Sequence, residues 1–163
     1  MEKDHSYFMK KAFEEAKYAF FKNEVPVGCV IVNNNDVISR SSNMVELLND
    51  STAHAELIAI TSAQNYLNSK NLEGCTLYAT LEPCLMCLGA IFNARINSLF
   101  FGAYDKKTGA CESILSLASN KHLNHHCTVQ GGVLEEESKA LLQKFFKEKR
   151  QKKPLSANSG FCK

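Results

Sequence analysis

The chain has 163 residues, of which 45% are hydrophobic and 22% charged, with only 3 Pro. That size and balance suit a single domain with its own core and exclude a disordered or collagen-like chain. The formal net charge is +2, yet residues 1–138 hold 11 Lys/Arg against 16 Asp/Glu, whereas residues 139–163 hold 8 Lys/Arg against one Glu. A basic C-terminal segment on an acidic body suits an anionic partner such as a nucleic acid; a solvated helix face is the plainer alternative. Apolar stretches such as Val27–Val32 and Cys87–Phe92 fall far short of the ~18 residues of a membrane span, so no membrane partner is expected. The opening MEKDHSYFMKKAFEEAK lacks the apolar centre of a signal peptide. The 7 Cys, an odd number, are therefore expected in a reducing, cytoplasmic compartment, as free thiols or metal ligands.

In chain order, residues 4–22 are predicted helical, with Met9, Phe13, Ala16 and Phe20 recurring at helical spacing. Residues 25–32 (VPVGCVIV) read as a strand buried on both faces. The cluster Asn33-Asn34-Asn35-Asp36 turns the chain into a second strand, Val37–Asn43, to make a hairpin. Ser51-Thr52 offers an N-cap for a helix of about 53–67. A short strand follows at Leu77–Leu81, and Pro83 opens a helix that ends near Asn93. Ser98–Gly102 is a further strand, Asp105–Gly109 a polar loop and Cys127–Gln130 a short edge strand. Gly131-Gly132 breaks the chain before a last helix of about 134–150, and residues 154–163 read as a loose tail. Alternating helices and strands imply an α/β fold of three layers around a mixed sheet.

Two segments carry the chemistry: His54-Ala55-Glu56 and Pro83-Cys84-Leu85-Met86-Cys87. Both fall at predicted helix starts, where free N–H groups and the helix dipole favour thiolates, the form that binds metal. Cys84 and Cys87 are i and i+3, and His54 is the natural third ligand. Three protein ligands leave one tetrahedral position on zinc for water, as in catalytic sites. Zinc with two thiolates and a neutral imidazole is formally uncharged and acidifies water less than an all-histidine site. A nearby base then helps, and Glu56 is the candidate. On an ideal helix, however, residues i and i+2 point about 200° apart, so His54 and Glu56 share a site only if it wraps the helix tip. The plainer readings are a redox Cys-x-x-Cys or half of a structural zinc site. The first leaves His54 and Glu56 unused; the second needs a further close cysteine pair, which Cys29, Cys75, Cys111, Cys127 and Cys162 do not provide.

The combination matches the H-x-E…P-C-x-x-C signature of zinc nucleobase deaminases. Over about residues 4–152 the chain resembles the bacterial tRNA adenosine deaminases. The resemblance rests on Glu24-Val25-Pro26-Val27-Gly28, Asn43, Thr52-Ala53-His54-Ala55-Glu56 and Thr80-Leu81-Glu82-Pro83-Cys84-Leu85-Met86-Cys87. It extends through Gly89-Ala90, Arg95, Phe101–Gly109, Leu123-Asn124-His125 and Phe145-Phe146. The chain departs from the family pattern at Met44, where a basic residue is usual, at Asp50-Ser51 in place of Asp-Pro, and at Glu112, where glycine is common.

This resemblance implies a cytidine-deaminase-like fold, a five-stranded mixed sheet with helices on both sides, in one domain of residues 1–153 and usually in a homodimer. It implies one zinc per chain on His54, Cys84 and Cys87, with Glu56 shuttling protons. Asn43 would hydrogen-bond the base, and Asp105, Lys107, His125 and Phe146 would line the nucleotide path. The implied reaction is hydrolytic deamination of the wobble adenosine to inosine in a tRNA anticodon, ACG of tRNA-Arg being the expected one, with zinc-activated water. A free-base or nucleotide deaminase and a catalytically silent tRNA-binding subunit are the alternatives. The basic C-terminal segment argues against the first and the presence of Glu56 against the second.

Overall fold

The structure is a computed structural model, and it describes residues 3–152. The expected tail, residues 154–163, lies outside the described residues. The first helix, α1 (His5–Phe21), starts where Asp4 accepts a hydrogen bond from the Tyr7 N–H at 2.8 Å, the standard way of satisfying an orphan donor of the first turn. Its buried side is Phe8, Met9, Ala12, Ala16 and Ala19. This stripe is rotated from the predicted one, with Phe13 and Phe20 only half-buried. The reason lies in the strand beneath. A Cβ on Gly28 would sit 2.0 Å from the Ala12 carbonyl oxygen and 2.4 Å from the Ala16 nitrogen. The helix backbone lies directly on the glycine, along Ala12, Glu15 and Ala16.

The hairpin forms as predicted, between β1 (Gly28–Asn33) and β2 (Asp36–Ser42), paired antiparallel. Asn34 and Asn35 take φ of 48° and 68°, the left-handed pair that a two-residue hairpin turn requires and asparagine tolerates. Then come α2 (Val45–Leu48), α3 (Ala55–Leu67), β3 (Cys75–Leu81), α4 (Leu85–Asn93), β4 (Ser98–Ala103), β5 (Thr128–Gln130) and α5 (Glu135–Lys152). The short α2 and a 3₁₀ turn at Leu117–Ser119 have no counterpart in the sequence reading, since a single turn is too short to show a period.

The five strands lie in the order β2-β1-β3-β4-β5. β1 pairs antiparallel with β3, while β3–β4 and β4–β5 are parallel, so the sheet is mixed. Period-two alternation sends Val30, Val32, Tyr78 and Phe100 to one face, against Phe8, Met9 and Ala12 of α1. Cys29, Ile31, Leu77, Ala79, Leu99 and Phe101 face the other way, against Ala59 and Ile60 of α3 and Leu88 and Ile91 of α4. The three-layer arrangement is thus as expected, and it sets α3 and α4 side by side on one face. No helix among the described residues is long and apolar enough to cross a membrane.

Candidate active site

The two motifs meet at the starts of α3 and α4. His54 is the N-cap of α3, with φ −73° and ψ 149°, and Cys84 is the N-cap of α4, with φ −73° and ψ 174°. Ser51-Thr52 and Pro83 therefore do not hold the positions predicted for them. Thr52 is engaged upstream instead, its N–H and hydroxyl both donating to Asp50 Oδ1, and Pro83 stands one residue before the cap. No capping hydrogen bond runs from either side chain; the two turn towards each other instead.

His54 Nδ1 lies 3.7 Å from Cys84 Sγ and 3.5 Å from Cys87 Sγ, and the three donor atoms lie within 4.8 Å of one another. Tetrahedral zinc with ordinary ligand bonds would set nitrogen and sulfur about 3.6 Å apart. The spacing and the soft donor set both fit zinc, so these residues could hold it. Of the three, only Cys84 is shifted towards its ligating form. The hydrogen bond from Cys87, helped by His54, pulls the Cys84 thiol down to about 4. Cys87, fully buried, is pushed up as donor of that bond, and the bond to Cys84 raises the His54 pKa.

Glu56 is 3% exposed, and its Oε2 has no hydrogen-bond partner among the described residues. An unpaired buried carboxylate oxygen is costly and calls for a partner that arrives with the reaction. Burial raises the Glu56 pKa, with the His54 charge among the influences that offset it. The 200° difficulty dissolves here: His54 has extended backbone and lies outside the helix, so helical rotation does not separate it from Glu56.

Asn43 is buried, and its side-chain NH₂ donates to Glu24. Its backbone N–H donates to the Val27 carbonyl at 3.0 Å, and the next residue, Met44, donates to Ala53, which precedes His54. Asp105 closes a loop turn, its carboxylate accepting from the Lys107 and Thr108 N–H groups and the Thr108 hydroxyl; Lys107 is exposed. The loop reaches the start of α4 through a bridge between Cys84 and Gly109 and a bond from the Ala110 N–H to the Pro83 carbonyl. His125 lies 2.7 Å through Nε2 from the Ile96 carbonyl, which makes Nε2 the donor and leaves Nδ1 free to accept. Phe146 is 45% exposed and lies far along α5, where Phe20, Phe21, Phe145, Phe146, Lys149 and Arg150 line an open groove of about 730 Å³.

Two residues that organise the site went unassigned in the sequence reading. Glu24 and Glu82 are each 2% exposed. Glu82 accepts from the N–H groups of Asp105, Glu112 and Ser113 and from the Ser113 hydroxyl. Their signal was available: each is a lone carboxylate next to an apolar strand segment, which needs a local reason.

A mixed sheet that brings a His/Cys/Cys cluster and a buried glutamate to two adjacent helix starts defines a zinc-dependent deaminase. Residues 2–103 match the family described as the cytidine and deoxycytidylate deaminase zinc-binding region, and the chain belongs to it. A guanine deaminase from Nitrosomonas europaea shares the fold, with a TM-score of 0.74 at 23% identity over 87% of this chain and 84% of that one. Within the family the chain belongs with the tRNA-specific adenosine deaminases. It is 49% identical to the one from Aquifex aeolicus, over 88% of this chain and 95% of that protein. It is 45% identical to the one from Bacillus subtilis, over 90% and 91%. A solved structure from a study of A-to-I editing by tRNA:A34 deaminases at the wobble position superposes with a TM-score of 0.81 at 44% identity, over 84% of this chain and 99% of that one.

Proposed function

We propose that residues 1–153 form one deaminase domain that converts the wobble adenosine of a tRNA anticodon, ACG in the first instance, to inosine with release of ammonia. The observation that carries the reading is the unpaired Glu56 Oε2 buried beside the His54, Cys84 and Cys87 donor set. His54, Cys84 and Cys87 would hold the zinc, whose chemistry there is to activate water as the nucleophile. Glu56 takes a proton from the attacking water at Oε2 and delivers it to the ring nitrogen beside the attacked carbon. It then takes the second proton from the hydroxyl now on that carbon and passes it to the amino group, which leaves as ammonia while the C=O of inosine forms. Burial, which raises the Glu56 pKa, favours uptake of these protons. Asn43, fixed on the neighbouring wall, hydrogen-bonds the base.

An anticodon loop offers its base already single-stranded, which lowers the cost of taking it out of the stack. Most of the binding energy then comes from phosphates and stacking. Lys149, Arg150 and Lys152 in the last turn of α5, together with the exposed Phe146, support that assignment, as do Lys107 and His125 on the loops. Asp105 acts by holding its loop in shape. Exposed Leu47, Leu48, Leu85, Ile114 and Leu115 supply apolar surface for the expected homodimer, and a cytoplasmic location follows from a tRNA substrate.

The test is incubation of purified protein with an ACG anticodon stem-loop, followed by analysis for inosine. Inosine from the stem-loop, with poor turnover of free adenosine, guanine and cytosine, is the expected result, because free bases lack the remote contacts that position the reacting base. Efficient deamination of free guanine with an inert stem-loop would refute the substrate. Tight stem-loop binding with no inosine would refute the activity.

A further inference from the structure

Glu24 lies between the end of α1 and the start of β1, two elements that carry none of the metal ligands. Its backbone N–H donates to the Ala19 carbonyl at 3.0 Å, so its position is tied to the helix. Both carboxylate oxygens are engaged. Oε1 accepts the Leu47 N–H at 2.6 Å, and Oε2 accepts Asn43 Nδ2 at 3.2 Å. A carboxylate can only accept. Asn43 must therefore turn its NH₂ group towards Glu24 and its Oδ1 away.

We infer that Glu24 is a positioning residue that sets which way round the Asn43 amide meets the bound base. The inference rests on the proposed adenosine reaction. Asn43 is 7% exposed, and its own backbone is pinned to Val27 on one side, while Met44 is pinned to Ala53 on the other. With the main chain held, the remaining freedom is rotation of the amide, which interchanges donor and acceptor at nearly constant shape. A base in the pocket meets a preset pattern of hydrogen-bonding groups because Glu24 has removed that freedom, so no reorganisation is needed when the base arrives.

The isosteric change Glu24→Gln isolates this effect. A glutamine has one oxygen where Glu24 uses two. If that oxygen stayed on Asn43, the NH₂ group would face the Leu47 N–H, a backbone donor that cannot turn away. If it stays on Leu47, the NH₂ group faces Asn43, whose amide can rotate to present Oδ1. The second arrangement keeps the fixed Leu47 N–H paired and makes a bond to Asn43, so it is favoured. Glu24→Gln thus keeps the packing and reverses the face that Asn43 shows the base.

The experiment measures kcat and KM on the ACG stem-loop for wild type, Glu24→Gln, Asn43→Ala and the double variant, each with its zinc content and melting temperature. Each single variant is expected to lose about 10- to 100-fold in kcat/KM, the scale of one buried hydrogen bond to the reacting base. Glu24→Gln should keep its zinc and lose no more than several degrees of melting temperature, because two bonds to a charged acceptor become neutral ones. The double variant should lose no more than Asn43→Ala alone, since Glu24 acts only through that amide. Losses that multiply, a Glu24→Gln enzyme as active as wild type, or one that loses zinc or is unfolded at the assay temperature would each overturn the inference. If wild type turns over no stem-loop, the substrate reading itself fails, which is distinguishable from multiplying losses in an active wild type.

Discussion

Replacing Glu82 by glutamine tests how the loop of residues 105–113 is held against the start of α4. Oε1 of Glu82 accepts the N–H groups of Glu112 and Ser113 at 2.8 and 2.9 Å, and Oε2 accepts the Asp105 N–H at 3.0 Å and the Ser113 hydroxyl. The glutamine oxygen can keep the Glu112 and Ser113 bonds, and the Ser113 hydroxyl can rotate to accept from the new NH₂. The Asp105 N–H then faces a donor and is left unpaired. Bonds to a charged acceptor are worth about 1.5–3 kcal/mol each and neutral ones about 1, while an orphaned buried N–H costs about 1–3. Together these put the loss at roughly 3 kcal/mol, or a fall in melting temperature of about 6–12 °C for a chain of this length.

Urea unfolding of the two proteins reads the global part of that loss. Hydrogen exchange at the amides of Asp105, Glu112 and Ser113 reads any local opening, which should accelerate by about 100-fold if the loop detaches alone. Burial alone would raise the Glu82 carboxyl, but the bonds from Ser113, Glu112 and Asp105 outweigh it and hold the group below the ordinary value of 4.5. With a folded value below the unfolded one, the stabilisation is complete above about 4.5 and fades as pH falls through the folded value. The gap between wild type and Glu82→Gln should therefore close in acid. A Glu82→Gln protein within about 0.5 kcal/mol of wild type, the range of neutral surface changes, with unaltered exchange at the three amides, would refute the reasoning.

Three further outcomes are expected. Cys87→Ala should lower zinc from one per chain to almost none and reduce stability, because metal binding and folding are linked; full occupancy by elemental analysis would sink the ligand assignment. Glu56→Ala should keep zinc and stem-loop affinity yet lose turnover by about 10²- to 10⁴-fold, and near-normal turnover would mean that another group carries the proton. Changing Lys147, Lys149, Arg150 and Lys152 to glutamine should weaken stem-loop binding and reduce the slope of log affinity against log salt by roughly 0.7–0.9 for each phosphate that is no longer neutralised. An unchanged slope in titrations at several salt concentrations would remove α5 from the interface.

Much of this protein was legible in one dimension because its signals are local. The Val-rich run at 25–32, the asparagine turn and the Gly131-Gly132 break each report a neighbourhood of a few residues, and they led to the hairpin and the final helix, while the alternation of elements led to the three layers. The meeting of the candidate metal donors was legible too. His54, Cys84 and Cys87 have few common alternatives to metal once a Pro-Cys-x-x-Cys and a His-x-Glu occur together, since thiolates and an imidazole at helix starts share one chemistry. What remained closed were quantities that depend on distant partners. The face α1 buries was set by the close approach of its backbone to Gly28, not by its own largest side chains. His54 and Glu56 can serve one site because His54 lies outside the helix, and that position follows from the reach of His54 towards Cys84 and Cys87, 30 and 33 residues on. The roles of Glu24 and Glu82 arise from N–H groups of loops far along the chain. A carboxylate announces by its type that it needs donors, but only the tertiary structure decides which donors reach it.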